Sequence, residues 1–159
     1  MMRIGNGYDV HRLVPNRPLI IGGVEIDWHL GLDGHSDADV LLHAICDACL
    51  GAMAKGDIGQ HFPPSDMQYR NMDSREFIRG ISAMMQTEGW SMVNMDCTIV
   101  AEKPKMAGHI PQMRNNLAQD MNVDVGQINI KATTTEGLGF AGQQQGIAAY
   151  AVVLIERKD

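Results

Sequence analysis

The pattern of apolar and polar residues along the chain predicts a series of β-strands, with alternation at residues 3–13 and 91–101. The predicted strands, one of them a hairpin, cover residues 3–13, 19–27, 91–101, 127–132 and 146–156. In the hairpin, Gly22 and Gly23 supply the positive φ angles of a tight turn. Val93 is assigned to the apolar face of its strand. The last segment is the most apolar, so we expect it at the centre of a sheet or buried on both faces.

Apolar residues recurring at intervals of three and four predict the first helix. Ser36 is a favourable N-cap and Asp39 follows three residues later, so the helix is expected to begin at Ser36 and to end near Gly56. Asp39, His43 and Asp47 form a polar stripe at intervals of four, opposite an apolar core face. His43 therefore lies either in a site or along the edge of the core.

Two further helices are predicted later in the chain. Asp73 is expected to cap the second helix, with Glu76 as its capping-box partner and Gly89 at its end. Pro111 suits the first turn of the third helix, which runs to about Met121. Neither a G-x-G-x-x-G turn nor a P-loop lysine occurs between a strand and a helix, so neither a dinucleotide fold nor a Walker ATPase is indicated.

The remaining segments are predicted to be irregular. Residues 57–71 contain Gly59 and the pair Pro63-Pro64, which predict a long loop of the kind that is often functional. Four glycines between residues 137 and 146 predict a mobile or tightly turned connection. The resulting order of elements predicts an α/β or α+β fold with one mixed β-sheet covered by about three helices. The length predicts a single domain, residues 1–159.

Composition and charge narrow the class of function. The formal net charge of −6 argues against general binding to nucleic acid or to anionic membranes, although it leaves room for a small polyanionic substrate. No stretch has the apolar length of a membrane span, and the N-terminal residues are too polar for a signal peptide. Cys46 and Cys49 fall inside the first helix with no second pair, so they are interpreted as core residues. These features predict a cytosolic or organelle-matrix protein.

Three residues are candidate metal ligands. Asp9 and His11 lie two apart on a predicted strand, so both side chains leave the same face. With His43 from the first helix they make a carboxylate and two imidazoles, a set that leaves a fourth metal position open for substrate. The alternative is that the Asp-x-His pair is an ordinary surface pair of a strand.

Other segments could bind phosphate. The predicted helix start at residues 34–36 would present free backbone N–H groups to an anion. Residues 133–135 offer three threonine hydroxyls at a strand end, followed by the Glu136 carboxylate, although threonine runs also serve as simple strand packing. Lys103 and Lys105 flank a proline, and such pairs are also common on solvated surfaces.

Motifs along nearly the whole chain resemble one family. They are G-Y-D-V-H at 7–11, G-H-S-D-A-D-V-L-L-H-A at 34–44, G-D-I-G-Q-H-F-P at 56–63, D-S-R-E at 73–76, A-E-K-P-K-M at 101–106 and K-A-T-T-T-E-G-L-G-F at 131–140. In this order they resemble the 2-C-methyl-D-erythritol 2,4-cyclodiphosphate synthase family. The resemblance implies a homotrimeric lyase of the non-mevalonate isoprenoid pathway, with each active site between neighbouring subunits. It would cyclise 4-diphosphocytidyl-2-C-methyl-D-erythritol 2-phosphate and release CMP.

The resemblance also implies roles for particular residues. It implies Zn²⁺ on Asp9, His11 and His43, and Mg²⁺ or Mn²⁺ bridging the substrate diphosphate near Glu136. His35 and Thr134 match positions that stabilise the transition state. The implied substrate-binding residues are Ser36, Asp57, Ile58, Gly59, Phe62, Asp66, Ala101, Pro104, Lys105, Met106, Ala107, Thr133, Thr135, Phe140 and Gln143.

Three departures from the family pattern stand out. Many relatives have F-P-D-T-D where this chain has F-P-P-S-D at 62–66, so only Asp66 of the two loop carboxylates is retained. Asn6 occupies a position that is often histidine. Gln143 stands where the family usually has an arginine, which normally helps to form an axial cavity that can hold isoprenoid diphosphates.

Two alternatives to the cyclase remain open at this point. A zinc-dependent phosphohydrolase could use the same three ligands to activate water, with Asp39 or Asp47 as the general base. A non-catalytic nucleotide-binding module could hold the zinc as a structural ion.

Overall fold

The computed structural model describes residues 1–157 and consists of seven strands, five α-helices and two 3₁₀ turns. In chain order the elements are β1 (Met2–Val14), β2 (Leu19–Ile21), β3 (Val24–Ile26), β4 (Gly31–Leu32), α1 (Val40–Ala52), α2 (Ile58–His61), a 3₁₀ turn (Met67–Tyr69), α3 (Ser74–Thr87), β5 (Ser91–Val100), α4 (Ile110–Met121), a 3₁₀ turn (Val125–Gln127), β6 (Ile128–Thr133), α5 (Gly139–Gly142) and β7 (Gly146–Glu156). The predicted α+β class is confirmed. Among the described residues, no helix combines the length and apolar character needed to cross a bilayer.

The main sheet has five strands in the order β4-β1-β7-β5-β6, and β2 and β3 form a separate hairpin. Strands β5 and β6 are parallel, whereas the other neighbours are antiparallel, so the sheet is mixed as predicted. The last strand, β7, is central as expected, but only one of its faces is covered. Tyr150 and Val152 on the other face are 52% and 43% exposed.

Helix α1 lies directly against β1 because two glycines of β1 leave room for its backbone. A Cβ on Gly5 would lie 1.9 Å from the Ala48 carbonyl oxygen, and one on Gly7 would lie 1.9 Å from the Ala44 carbonyl oxygen. No side chain larger than hydrogen fits at either position. This close approach brings His43 of α1 next to the side chains of β1.

The predicted start of the first helix is wrong. Helix α1 begins at Val40, not Ser36, because Ala38 takes the left-handed conformation at φ +58° and interrupts the helical path. Ser36 instead accepts a hydrogen bond from the Ala38 N–H at 3.2 Å. Residues 34–36 therefore form a bend, and the anion site expected there from a helix N-terminus is not built in that way. The helix also ends earlier than Gly56, at Ala52.

Asp39 is the actual cap of α1 and does not share a polar stripe with His43. Its carboxylate accepts from the Leu42 N–H at 3.1 Å and from the Gly22 and Gly23 N–H groups at 2.9 and 2.8 Å. Burial and the nearby charge of Asp37 raise the pKa of Asp39 to about 7. The three N–H donors lower this pKa, but their effect is smaller. The cap thus ties the hairpin turn, where both glycines have positive φ as predicted, to the start of α1.

Several smaller predictions need correction. The segment 57–71 is not wholly irregular, since it contains α2 and a 3₁₀ turn. Asp73 does cap α3 by accepting from the Arg75 N–H, but the Glu76 side chain bonds Arg79 instead of closing a capping box. A register shift between residues 92 and 94 breaks the alternation of β5, so that Val93 is not on the buried face.

Candidate metal centre and active site

The three predicted ligands meet at one point between β1 and α1. The Asp9 Oδ2 atom lies 2.8 Å from His11 Nε2 and 3.1 Å from His43 Nδ1, and the two nitrogens are 3.3 Å apart. One ligand atom from each residue falls within 4.8 Å of the others. Ligands at zinc distances of 2.0–2.1 Å in a tetrahedron are separated by about 3.3 Å, so this spacing suits a small divalent cation.

The second nitrogen of each histidine is already engaged, which directs the first toward the cluster. His11 Nδ1 lies 2.7 Å from the Asp33 carbonyl oxygen and donates its proton there, so His11 Nε2 carries the free lone pair. His43 Nε2 lies 2.9 Å from Ser74 Oγ, which leaves His43 Nδ1 for the cluster. Outer contacts of this kind are typical of histidine metal ligands.

The electrostatics of the cluster keep Asp9 ionised. Burial alone would raise the pKa of Asp9, but the short contacts with His11 and His43, and the positive charge that these imidazoles can carry, outweigh burial and lower the pKa to about 2. Burial by itself would lower the pKa of His11, but the hydrogen bond and charge of Asp9 raise it above its ordinary value. An ionised carboxylate thus shares a partly buried position with two imidazoles, which is a favourable arrangement for a cation.

A pocket of about 230 Å³ opens beside the cluster. Its lining residues are His11, His35, Ser36, His43, Ile58, Gly59, Phe62, Pro64, Tyr69 and Phe77. The aromatic wall is well packed, because the ring centroids of Phe62 and Phe77 are 4.7 Å apart and those of Phe62 and Tyr69 are 5.5 Å apart. The pocket therefore combines a largely aromatic and apolar wall with three imidazoles and Ser36.

Most of the predicted residues from the first half of the chain gather around this pocket. Asp57 caps α2, which brings Ile58 and Gly59 to the wall. The Asp66 carbonyl oxygen lies 3.4 Å from His35 Nε2, so the loop over the pocket contacts His35. Only the backbone of Asp66 makes this contact, since its carboxylate accepts from the N–H of Gln68.

The predicted residues from the second half do not join this pocket within one chain. Residues 101–107 and 133–136 follow the ends of the parallel strands β5 and β6, where the Ala101 N–H donates to the Thr133 carbonyl oxygen at 3.0 Å. Across the sheet Asp9 pairs with Ala149, which pairs with Ile99, and Ile99 pairs with Ala132. Three strand spacings separate the two sets, a distance of about 14 Å.

Within this second group, exposure differs from residue to residue. Ala101 and Met106 are buried, whereas Lys105, Ala107, Thr133, Thr134 and Glu136 are exposed, and Pro104 and Thr135 are intermediate. The Thr135 N–H donates to the Glu102 carboxylate at 3.3 Å, which joins the ends of β5 and β6. The set is a candidate second half-site, which presents hydroxyls and a lysine to the outside of the chain.

Phe140 lies in α5 and Gln143 is the C-cap of that helix, just before β7. Phe140 lines a separate cleft of about 210 Å³ together with Val10 and His11. The Gln143 side chain is exposed and donates to the Gly137 carbonyl oxygen at 3.2 Å. Neither side chain lines the pocket beside the cluster.

Some residues around the pocket were not singled out for the site from the sequence. Tyr69 and Phe77 form its aromatic wall, and the spacing of Phe77 on an apolar helix face signalled a core position instead. Arg17 donates to the Gly34 and Ser36 carbonyl oxygens at 3.0 and 2.8 Å and so fixes the bend that carries His35. Hydrogen bonds from a side chain to backbone carbonyl oxygens do not depend on the side chains of the accepting residues, so the sequence gives no signal of them.

The general bases suggested for a zinc hydrolase are not at the cluster. Asp39 is directed toward the hairpin turn, and the Asp47 carboxylate accepts from the Ile58 N–H at 2.7 Å. A mixed sheet that carries a cluster of two histidines and one aspartate, beside a partly apolar pocket, defines an α+β protein with a candidate metal centre open to that pocket.

Comparison with known proteins gives the family. A model described as the YgbB family matches residues 2–156, and this chain belongs to that family. The curated 2-C-methyl-D-erythritol 2,4-cyclodiphosphate synthase of Geobacter sulfurreducens is 60% identical over 157 residues, which cover 99% of this chain and 100% of the relative. The family resemblance inferred from the sequence motifs is confirmed.

Solved structures agree with this assignment. The bifunctional IspDF from Campylobacter jejuni is 40% identical with a TM-score of 0.95, and the match covers 100% of this chain and 43% of that one. This chain therefore spans less than half of that bifunctional protein. A CDP complex of IspF from Plasmodium falciparum is 31% identical with a TM-score of 0.88, over 99% of this chain and 97% of the other.

Proposed function

We propose that this chain converts 4-diphosphocytidyl-2-C-methyl-D-erythritol 2-phosphate to 2-C-methyl-D-erythritol 2,4-cyclodiphosphate with release of CMP. The reaction belongs to the non-mevalonate route to isoprenoid precursors. The observation that carries the proposal is the open Asp9, His11 and His43 centre in a chain that matches a curated synthase along its full length. As a phosphorus–oxygen lyase, the enzyme needs no external nucleophile.

The reaction is an internal displacement at phosphorus. An oxygen of the 2-phosphate forms a bond to the β-phosphorus of the diphosphate, and the bond from that phosphorus to the oxygen of CMP breaks. No water is consumed, and CMP carries away the electron pair of the broken bond. Because the reacting groups are all anions, the protein has to position them and to neutralise their charge.

The metal sites follow from the donor sets. Asp9, His11 and His43 would hold Zn²⁺, since their nitrogen and oxygen donors and their spacing suit a tetrahedral ion with one open position. A second ion, Mg²⁺ or Mn²⁺, would be held near Glu136, whose oxygen donors suit a harder cation. When bound, these ions withdraw charge from the phosphate oxygens.

The side chains of the chain itself have complementary roles. His35 and Thr134 are proposed to donate hydrogen bonds to the charge that develops on the transferring phosphoryl group. Ser36, Thr133 and Thr135 would hold non-reacting phosphate oxygens. The aromatic wall of the pocket would limit the access of water and so suppress hydrolysis in favour of cyclisation.

The volume of the pocket supports a divided substrate site. At about 230 Å³, it is smaller than the ~300–1,000 Å³ that holds a drug-sized ligand, so it accommodates the methylerythritol end alone. Asp57, Ile58, Gly59, Phe62 and the loop to Asp66 would contact this end. The cytidine would bind at Ala101, Pro104, Lys105, Met106 and Ala107, a proposal supported by the nucleotide in the CDP complex of the Plasmodium falciparum relative.

A homotrimer would bring the two half-sites together. Within one chain they are about 14 Å apart, so each complete site would combine the metal half of one subunit with the phosphate half of its neighbour. The uncovered face of the sheet supports this proposal, because Ile4 is 71% exposed there and the Tyr8 and Tyr150 rings lie side by side, with tilted planes and centroids 4.9 Å apart. Large exposed apolar side chains on one face are typical of a subunit interface.

Curated relatives of bacterial origin also support a cytoplasmic location. The plastid matrix is the corresponding location in a plastid-bearing source.

Mass spectrometry of the products in ¹⁸O-labelled water tests the proposed reaction. The purified chain is incubated with the diphosphocytidyl substrate, Zn²⁺ and Mg²⁺. We expect equimolar CMP and cyclic diphosphate, neither containing ¹⁸O. Labelled linear products would instead identify a hydrolase, and unchanged substrate would identify a non-catalytic module.

A further inference from the structure

A chain of hydrogen bonds leads from the candidate metal centre into the protein. His43 Nε2 lies 2.9 Å from Ser74 Oγ, and the Ser74 hydroxyl donates to the Asp37 carboxylate. The Ser74 N–H donates to the other oxygen of the same carboxylate at 3.0 Å. Ser74 is completely buried at the first position of α3, so water does not compete for these bonds.

The directions of these bonds follow from the number of protons available. The single hydroxyl proton of Ser74 goes to Asp37, because an ionised carboxylate only accepts. Ser74 Oγ is then an acceptor toward His43, so the proton of the imidazole sits on Nε2. His43 Nδ1 is thereby left with a lone pair that points at Asp9 and His11.

Ser36 is the other hydroxyl near His43, at 3.2 Å from Nε2. Its contact is longer than that of Ser74, and its oxygen also accepts from the Ala38 N–H. The Ser36 hydroxyl makes no hydrogen bond to a carboxylate among the described residues. The Ser74 contact is therefore the one that joins His43 to a negative charge.

We infer that Ser74 and Asp37 are positioning residues that fix the tautomer and the ring orientation of His43 for a divalent cation. In many metal sites a carboxylate accepts directly from the outer nitrogen of a ligating histidine. Here a serine hydroxyl is inserted between the two. The inference rests on the proposed metal function of the Asp9, His11 and His43 cluster.

Backbone hydrogen bonds beside Ser74 and Asp37 join two segments that surround the pocket. The Asp37 N–H donates to the Met72 carbonyl oxygen at 3.1 Å, and the Asn71 N–H donates to the His35 carbonyl oxygen at 2.9 Å. The segment before α1 and the end of the loop before α3 are thus held side by side. Ser74 and Asp37 close this junction at the end nearest the cluster.

Zinc affinity of the purified full chain tests the inference. Zn²⁺ is titrated into metal-free protein against a chromophoric chelator at constant pH for the wild type, Ser74→Ala and Asp37→Asn. Loss of an outer-shell partner typically weakens metal binding by about 10- to 100-fold, so we expect at least about a 10-fold loss for Ser74→Ala. Asp37→Asn, which keeps the shape of the side chain but removes its charge, should also weaken binding.

Ser82→Ala is the matched control. Ser82 is a second buried serine on α3, and its hydroxyl donates to the Met121 carbonyl oxygen at 3.3 Å, away from His43. Thermal unfolding of the metal-free proteins measures the stability cost of each deletion separately. We expect Ser82→Ala to bind zinc within about twofold of the wild type, whatever its melting temperature.

Each other outcome contradicts the inference in a recognisable way. Wild-type zinc affinity in Ser74→Ala or in Asp37→Asn would overturn the positioning role of Ser74 and Asp37 while leaving the proposed metal function intact. Equal losses of zinc affinity in Ser74→Ala and Ser82→Ala would show that the effect comes from general packing of the helix. This result would also overturn the inference. A wild-type chain that binds no zinc would overturn both the positioning role of Ser74 and Asp37 and the proposed metal centre.

Discussion

At the residue scale, the candidate centre depends on which nitrogen each histidine presents. His11 offers Nε2 because the Asp33 carbonyl holds its other nitrogen, whereas His43 offers Nδ1 because Ser74 holds the opposite one. Asp9 supplies the carboxylate oxygen of the three ligand atoms, and the histidines supply the two nitrogens. Removal of any one ligand leaves two donors, too few for a stable site with an open position.

Asp9→Ala or His43→Ala should therefore lose bound zinc and nearly all turnover while the chain remains folded. Outer-shell deletions already cost about 10- to 100-fold, so deletion of a direct ligand should lower turnover by more than about 100-fold. Zinc content by mass spectrometry and the CMP-release assay measure both effects. His29→Ala, at an exposed histidine, is the control. Full zinc content in His43→Ala would refute the ligand assignment.

At the scale of elements, local patterns predicted the strands well and helix ends less well. The alternation of β1, the apolar run of β7 and the glycine pair of the hairpin are local signals, and the structure agrees with them. The start of α1 could not be read in the same way, because Ser36 and Asp39 are both good caps in sequence. Asp39 is the cap because its carboxylate also accepts from the N–H groups of the hairpin turn. Only the tertiary fold brings that turn to Asp39.

The contact between β1 and α1 predicts a sensitivity at Gly7. In Gly7→Ala the added methyl would meet the Ala44 carbonyl oxygen, one residue from His43, and push α1 away from β1. We expect a loss of about 2–4 kcal/mol in the free energy of unfolding, together with weaker zinc binding, because His43 moves away from Asp9. Urea unfolding and chelator competition measure the two effects.

Gly51→Ala is the matched control for this prediction. Gly51 also lies in α1, but the nearest atom to an added Cβ there is the Asn6 carbonyl oxygen at 3.9 Å. This variant should be neutral or more stable by up to about 1 kcal/mol, since alanine favours helix. Equal behaviour of the two variants would show that the close approach at Gly7 does not position His43.

At the scale of the whole molecule, the proposed active site is divided between two parts of the chain that the sheet keeps apart. The motifs at 7–11 and 131–140 indicated one chemistry, but their positions on β1 and β6 follow from the strand order, which local patterns do not determine. The half-exposed Tyr8 and Tyr150 likewise became visible as one apolar face only once β1 and β7 were paired. Under the proposed function, activity would therefore depend on the assembly of subunits.

Gln143 predicts weak binding of isoprenoid diphosphates on the proposed trimer axis. A glutamine amide cannot make the charged, bidentate contact that arginine makes with a diphosphate. Calorimetric titration with geranyl diphosphate should give at most weak binding to the wild type and tighter binding to Gln143→Arg. Micromolar binding by the wild type that survives substitution of nearby cations would contradict this prediction.

Complementation between two inactive variants tests the shared active site most directly. His43→Ala damages the metal half and Thr134→Ala the phosphate half, so each homotrimer should be inactive. After co-refolding at equal concentrations, about three quarters of random trimers are mixed, and each mixed trimer has one intact site of three. With hybrids verified by native mass spectrometry, we expect CMP release at about one quarter of the wild-type rate. Hybrids that form but show no more activity than the parent variants would contradict the shared site.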